Sequence, residues 1–248
     1  MDFVDRLSGR ARHFDSNAVF KFTDLDVPVQ QHLQKVYSTL MMTLVTSAIG
    51  AWMQIAVGLP MWLGLAGFVG GSFWLSMTPS QSANLTKRFS ILLGIGMSQG
   101  ITLGQLISMA LDISGPGIIL TAFAGTAAIF ACFSGAAMLA RRRSYLFLGG
   151  ALSSALSLML VFRLGTWLMG SGRALAFQAE LYLGLLIFVG YVLFDTQMII
   201  ERAYAGEKDH IQHAMSLFVD FMAIFVRILV ILMQNAEKKD DRKRKRRS

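Results

Sequence analysis

Two aspartates stand inside otherwise apolar stretches of the sequence, and they are the residues most able to do chemistry. Asp195 lies late in one long apolar run, and Asp220 lies in the first half of the next. A carboxylate at bilayer depth costs about 2.5–3.5 kcal/mol, so such a residue usually faces a bundle interior or water and serves a function. Two carboxylates in a low-dielectric site do not both ionise readily. A pair is therefore expected to share a proton, to act as a pH-sensitive latch or to bind a cation.

The spacing of these aspartates predicts that they meet. Asp195 lies about six residues before its apolar run ends, and Asp220 lies about nine residues after the next run begins. The connecting loop is short, so we expect antiparallel neighbouring helices, and a rise of about 1.5 Å per residue places both aspartates at similar depth. The alternative is that each aspartate separately caps polar groups or faces water near one end of the bundle.

Three basic residues are candidate ion-pair partners for the aspartates. Arg227 follows Asp220 by seven residues, which places both on one face of the same helix. Snorkelling or pairing within the helix is the alternative for Arg227. Lys87 and Arg88 precede the third apolar run, where they are expected to anchor the helix, although one of them could reach a buried carboxylate.

Other polar residues of the apolar runs predict structural roles. Glu180 lies near the start of the sixth run, where an acid interacts favourably with the helix dipole. His210 and His213 lie at helical spacing beside a loop, and we expect a solvated face there rather than a metal site. Cys132 is the one cysteine of the sequence, so no disulfide within the chain is possible.

Enzyme signatures are missing from the sequence. Intramembrane aspartyl proteases also pair two aspartates across helices, but they present a Gly-x-Gly-Asp motif, which precedes neither Asp195 nor Asp220. No Gly-x-Ser-Gly motif, His-Glu-x-x-His zinc motif or phosphate-binding loop is present. We therefore predict that the protein is not an enzyme, and the missing motifs argue against an intramembrane hydrolase.

Seven apolar runs must position these residues. Hydrophobic residues make up 54% of the chain and charged residues only 15%, against about 25% charged residues in soluble domains, so a membrane protein is predicted. One crossing needs about 20 apolar residues, and the runs are continuous rather than alternating, which indicates helices and argues against a barrel. The runs are residues 36–58, 61–77, 89–111, 118–140, 145–162, 174–200 and 211–234.

The predicted fold class is therefore an all-α, seven-helix transmembrane bundle. Residues 1–35 are expected to form a cytosolic amino-terminal segment, residues 36–234 the bundle and residues 235–248 a polybasic tail. The last run contains Asp220 and Arg227, which makes it the least lipid-like, and we expect it to pack centrally among the others.

Basic residues are unevenly distributed between the predicted loops. Twelve lie in the amino-terminal segment and the loops on its side, and two lie in the opposite loops, so the amino terminus is predicted to be cytosolic. The net charge of +8 is concentrated in the tail, which is expected to contact anionic lipid headgroups rather than nucleic acid. Seven crossings would place this basic tail on the non-cytosolic side. The last segment is therefore either re-entrant, or it crosses the membrane and the tail is an exception to the preference of basic residues for the cytosolic side.

Small residues recur at every fourth position of the third run. Gly96, Gly100 and Gly104 form this stripe, and such stripes let helix backbones approach closely. We expect packing against another helix of the same chain, and a dimer interface is the alternative.

Four stretches of the sequence resemble the eukaryotic branch of the Bax inhibitor-1 family. They are residues 116–134 (PGIILTAFAGTAAIFACFS), 141–150 (RRRSYLFLGG), 190–200 (GYVLFDTQMII) and 217–221 (LFVDF), and the resemblance extends from about residue 20 to residue 235. It implies a seven-helix bundle in the endoplasmic reticulum membrane with the last helix at its centre. It also implies suppression of programmed cell death and a pH-sensitive calcium leak, whose pH-sensing aspartates correspond to Asp195 and Asp220.

The two aspartates and the family resemblance leave two functions open. The first is a calcium leak gated by Asp195 and Asp220, which would bind calcium transiently as the permeant ion, without a cofactor. Proton loss could open such a gate by repulsion, or protonation could open it by releasing a salt bridge. The second function is a non-conducting scaffold that binds cell-death or stress-signalling proteins. The expected partners are membrane lipids, calcium ions and other endoplasmic reticulum membrane proteins, including Bcl-family regulators, and no nucleic acid.

Overall fold

The computed structural model describes residues 25–141, 143–169 and 173–247, and this part of the chain contains seven α-helices and no strand. The all-α, seven-helix prediction is therefore confirmed. Residues 1–24 of the predicted amino-terminal segment lie outside the described residues. The helices are α1 (Val27–Val57), α2 (Met61–Met77), α3 (Leu85–Ser114), α4 (Pro116–Leu139), α5 (Leu148–Met169), α6 (Arg173–Tyr204) and α7 (His210–Arg247).

Six of these helices are long and apolar enough to cross a membrane. The exception is α2, whose 17 residues give a length of about 26 Å against a hydrocarbon thickness of about 30 Å. The chain is thus a multi-pass membrane protein whose second helix is short.

The helices extend beyond the apolar runs at several ends. The first begins at Val27, with a proline in its first turn, where proline removes no helical hydrogen bond. It ends at Val57, and the left-handed φ of 74° at the following Gly58 closes the helix. The last helix continues without interruption for 38 residues, or about 57 Å. A re-entrant segment would have to turn back, so this alternative does not fit the structure.

The last helix lies at the centre of the bundle. It packs against α1, α3, α4 and α6, and its fully buried side chains include Leu217, Phe218, Ile224 and Leu229. Two helices lie outside this group, since α2 packs mainly on α3 and α5 packs mainly on α6. The predicted central position of the last run is therefore confirmed.

Close packing of α1 on α3 depends on glycine. A Cβ atom added to Gly100 would fall on the backbone carbonyl oxygen of Ser47, and one added to Gly96 would meet Thr43. The third glycine of the stripe, Gly104, faces Gln54 and Ala51 in the same way. The stripe therefore packs within the chain, as the first of the two sequence interpretations predicts.

Candidate functional site

The two intramembrane aspartates come together where α6 packs on α7. Asp195 lies nine residues before the end of α6, and Asp220 lies ten residues after the start of α7. These offsets correspond to about 14 Å and 15 Å along the two helix axes. The helices are antiparallel and joined by a short loop, so the aspartates lie at one depth, as the sequence predicts.

A side-chain hydrogen bond joins the carboxyl groups of Asp195 and Asp220. An ionised carboxylate can only accept hydrogen bonds, so this contact requires a proton on at least one of the two groups. Asp220 is only 4% exposed, whereas Asp195 is partly buried. The arrangement can hold or release a proton between two helices.

One oxygen of the pair has no partner outside the pair among the described residues. This atom is Oδ2 of Asp220, which is buried and, apart from the contact between the two carboxyl groups, has no hydrogen-bond partner in the described ranges. Native structures rarely leave a buried polar atom unsatisfied, and such an atom often has a functional role. The Asp220 oxygen can accept a hydrogen bond or ligate a cation. No group of three or more His, Cys, Asp or Glu residues in the described ranges is arranged to hold a metal ion.

The two basic residues before the third apolar run contact other partners. Arg88 donates from Nη1 to Oδ2 of Asp209 at 2.6 Å, and this arginine is only 3% exposed. Lys87 lies over the ring of Trp74, 5.6 Å from its centroid. Arg88 thus reaches a carboxylate, but in the α6–α7 loop rather than in the Asp195–Asp220 pair.

Asp209 connects the start of α3 to the start of α7. Besides the bond from Arg88, its Oδ1 accepts the backbone N–H of Gln212 at 3.2 Å. Partial burial acts to raise the pKa of Asp209, but the hydrogen bonds from Arg88 and Gln212 outweigh it and hold that pKa below its ordinary value. The ion pair therefore stabilises the charged form of Asp209.

Arg227 contacts α6 rather than Asp220. Its Nη1 donates to the backbone oxygen of Ala223 at 2.9 Å, and its guanidinium lies 4.6 Å from the centroid of Phe188. Gly184 leaves the space that this guanidinium occupies. In the described part of the chain no carboxylate lies within ion-pair distance of Arg227.

Glu180 and Arg202, near the two ends of α6, also form ion pairs. Glu180 accepts a hydrogen bond from Arg163 at 2.5 Å, which ties the start of α6 to α5. Arg202, in the last turn of α6, is the cation whose charge acts on Asp195, and it lies 3.6 Å from Glu207. The aspartate pair therefore has a basic residue nearby, but no direct ion pair with it.

Comparison with known proteins identifies the family of this chain. Residues 29–237 match the family model described as Bax1-I, inhibitor of apoptosis-promoting Bax1. The chain belongs to the Bax inhibitor-1 family. It is 44% identical to Bax inhibitor 1 of Arabidopsis thaliana, over 96% of this chain and 94% of that protein. It is also 43% identical to the Bos taurus protein, over 94% and 98%, and 41% identical to the Homo sapiens protein, over 95% and 98%.

The stretch of residues 190–200, which carries part of the Bax inhibitor-1 resemblance, also has a structural role. Gln197 accepts the backbone N–H of Tyr145 at 2.7 Å and donates to the backbone oxygens of Ala137 and Arg141 at 3.3 and 3.2 Å. These bonds attach α6 to the α4–α5 connection. They hold in place the helix that carries Asp195.

A polar chain runs beside the aspartates of this Bax inhibitor-1 family protein. The hydroxyl of Tyr37 donates to Ser134 at 2.9 Å, and Ser134 is hydrogen-bonded to Thr196 at 3.1 Å. The three residues belong to α1, α4 and α6, and Thr196 follows Asp195 directly. The chain links the aspartate-bearing turn of α6 to two other helices.

A buried histidine pair is a feature that the sequence interpretation missed. Nε2 of His32 lies 2.9 Å from Nδ1 of His213, and both side chains are buried. The expectation of a solvated face is therefore wrong for His213. Its Nε2 has no partner among the described residues. The burial of His32 could have been predicted from its spacing, because it lies on the same helix face as the buried residues Val29, Leu33 and Val36 of α1.

Proposed function

We propose that this protein suppresses programmed cell death in the endoplasmic reticulum membrane by acting as a pH-sensitive calcium leak gated by Asp195 and Asp220. The observation that carries the proposal is the hydrogen bond between these two carboxyl groups. Because it needs a proton, the bond between α6 and α7 depends on the protonation of the pair.

Loss of the proton would open the gate. Two unit charges about 4 Å apart repel each other by about 4 kcal/mol at an effective dielectric constant of about 20. Arg88 pairs with Asp209, and Arg227 stacks on Phe188, so neither arginine forms a salt bridge that protonation of the aspartates could break. These contacts favour opening by repulsion over the alternative of opening by protonation.

The same pair would interact with the permeating calcium ion. Calcium prefers six to eight oxygen ligands, and two carboxyl groups supply only part of such a shell. Binding would therefore be weak and transient, which suits conduction because a permeant ion must also leave its site. Calcium is the permeant ion in this proposal, and no cofactor takes part.

Family membership supports the cell-death part of the proposal. The matched family is described as an inhibitor of apoptosis-promoting Bax1, and the relatives are named Bax inhibitor 1. A leak that lowers stored calcium would reduce the calcium available to a death signal. The helical membrane fold and the family together point to a regulator rather than an enzyme. The basic residues near the amino terminus support a cytosolic position for it.

A non-conducting scaffold is the second candidate function. The observation that favours it is the continuation of α7 as a helix to Arg247, through a segment with eight basic residues. A helix that projects from the bundle offers a contact surface for other endoplasmic reticulum membrane proteins or Bcl-family regulators. In this case deletion of residues 237–248 would abolish protection from cell death and leave the fold intact.

Calcium flux into liposomes that contain the purified protein, measured across a pH series, tests the leak. We expect a pH-dependent flux in the wild type, and we expect Asp195→Asn and Asp220→Asn each to abolish its pH dependence, since neither variant retains a carboxyl pair. Asp112→Asn is the matched control, because Asp112 is an exposed acid near the carboxyl-terminal end of α3 and lies in neither helix of the aspartate pair. No flux above empty liposomes at any pH, with folded protein, would contradict the leak and leave the scaffold.

A further inference from the structure

A crevice beside α2 and α3 exposes part of the central helix α7. It has a volume of about 310 Å³, and its lining includes Phe68, Gln99, Val219 and Arg227. Although α7 lies at the centre of the bundle, Val219 is 37% exposed at this place. The crevice therefore gives access to the face of α7 next to Asp220.

The crevice contains a positive charge that nearby acids do not neutralise. The guanidinium of Arg227 has five N–H donors, and one nitrogen donates to Ala223. Glu180, the acid whose charge acts on Arg227, is hydrogen-bonded to Arg163. Within the described ranges Arg227 has no ion pair of its own.

The crevice is large enough for water and offers it polar groups at two places, Gln99 and Arg227, while the rest of its lining is apolar. A cavity needs only about 10–15 Å³ of accessible volume and two to four polar partners to hold a water molecule. The crevice is far larger than this, and the N–H groups of Arg227 and the amide of Gln99 supply the partners. Hydration also explains how a guanidinium without a carboxylate partner is accommodated inside the membrane-spanning region.

We propose that this crevice is a water-filled vestibule in which the charge of Arg227 repels cations approaching the Asp195–Asp220 pair. Arg227 lies seven residues, or about 10 Å along the helix, beyond Asp220 and on the same face. The vestibule stands on the geometry alone, whereas its role as a barrier to calcium rests on the proposed leak function. Arg227 would then limit the leak and set its preference between monovalent and divalent cations.

Charged thiol reagents test the vestibule without any measurement of flux. A Gln99→Cys substitution, made together with Cys132→Ala, places a single thiol in the crevice. We expect an anionic methanethiosulfonate reagent to modify this introduced thiol at least several-fold faster than a cationic one, after correction for their rates with free cysteine. Arg227→Gln should remove this preference. Arg227→Lys should retain it, and so should Arg143→Gln, which removes an ion-paired arginine that lies outside the crevice.

Two results of the thiol experiment would overturn the proposed vestibule. A thiol that neither reagent modifies would show that the crevice is dry and would overturn the proposal. Equal corrected rates for the two reagents in protein that retains Arg227 would also overturn it, because the charge would then have no effect on the crevice. This second comparison does not need the Arg227→Gln variant, so the proposal stays testable even where that variant fails to fold.

Ion flux into liposomes tests the barrier. The energy of a cation beside a fixed charge is proportional to the charge of the cation. If Arg227→Gln raises the potassium leak by a given factor, it should raise the calcium leak by about the square of that factor, which a merely structural change would not do. Equal factors for the two ions would overturn the barrier alone. Absence of any wild-type flux would overturn the proposed leak and its barrier, while an anion preference at the introduced thiol would still support the charged vestibule.

Discussion

At the scale of single residues, Arg88 and Asp209 form the most buried ion pair in the described part of the chain. Removal of one partner from a buried pair leaves an uncompensated charge, which is more costly than the pair itself. Arg88→Met should therefore lower the free energy of unfolding by about 3 kcal/mol, measured by titration with a denaturing detergent.

The exposed pair of Arg143 and Glu201 supplies the control for this prediction. Arg143 is 67% exposed, and its Nη2 lies 2.5 Å from the Glu201 carboxylate. Ion pairs of this kind contribute about 0–1 kcal/mol, because water screens the charges. Equal losses of stability in Arg88→Met and Arg143→Met would contradict the role that we assign to burial.

The lowered pKa of Asp209 predicts a pH dependence of stability. The folded protein holds this carboxylate charged to lower pH than the unfolded chain does, since its pKa lies below the ordinary value of about 3.9. Its contribution is fully present above the unfolded pKa and is lost as pH falls through the folded pKa. The difference in melting temperature between the wild type and Asp209→Asn should therefore narrow as pH falls from 7 to about 3. A difference that is constant over this range would contradict the assignment.

At the scale of helices, the contact of α1 with α3 depends on the absence of a side chain at Gly100. A Cβ atom there would fall on the backbone oxygen of Ser47, which cannot move without the whole of α1. We expect Gly100→Ala to destabilise the protein by about 2 kcal/mol or more, in the range found for overpacked cores. The measurement is the free energy of unfolding in detergent micelles.

A second glycine in the same helix provides the matched control. Gly94 has open space around its Cβ position, and glycine inside a helix is about 0.5–1 kcal/mol less favourable than alanine. Gly94→Ala should therefore leave stability unchanged or raise it. Similar effects of alanine at the two positions would show that α1 does not approach α3 as closely as described.

The contact between Asp195 and Asp220 could be predicted from the sequence for a physical reason. The two helices are consecutive, antiparallel and joined by a short loop, so a count of residues fixes their relative depth. The same count could not find the partner of His32, because His213 lies 181 positions away. That contact depends on how α1 packs against α7, which hydrophobic periodicity does not specify.

At the scale of the whole molecule, composition and run lengths were enough to predict seven helices, and Asp220 and Arg227 within the last run predicted its central position. They did not predict that α2 and α5 lie outside the group of helices packed against α7. They did not predict the crevice beside Val219 either, which is lined by residues of α2, α3 and α7. The partners of Arg88 and Arg227 could not be predicted either, since both are set by side-chain packing between helices distant in sequence.

The central position of α7 has a consequence for the biogenesis of the protein. The ribosome synthesises α7 after the six helices that precede it, so the helices that surround it must enter the membrane without their common core. Until α7 arrives, their inward faces contact lipid, translocation machinery or one another. Asp195 likewise has no carboxyl partner before Asp220 is in place. Membrane insertion of α7 therefore completes the core and the aspartate pair in a single late step, and a nascent chain that stops short of it has neither.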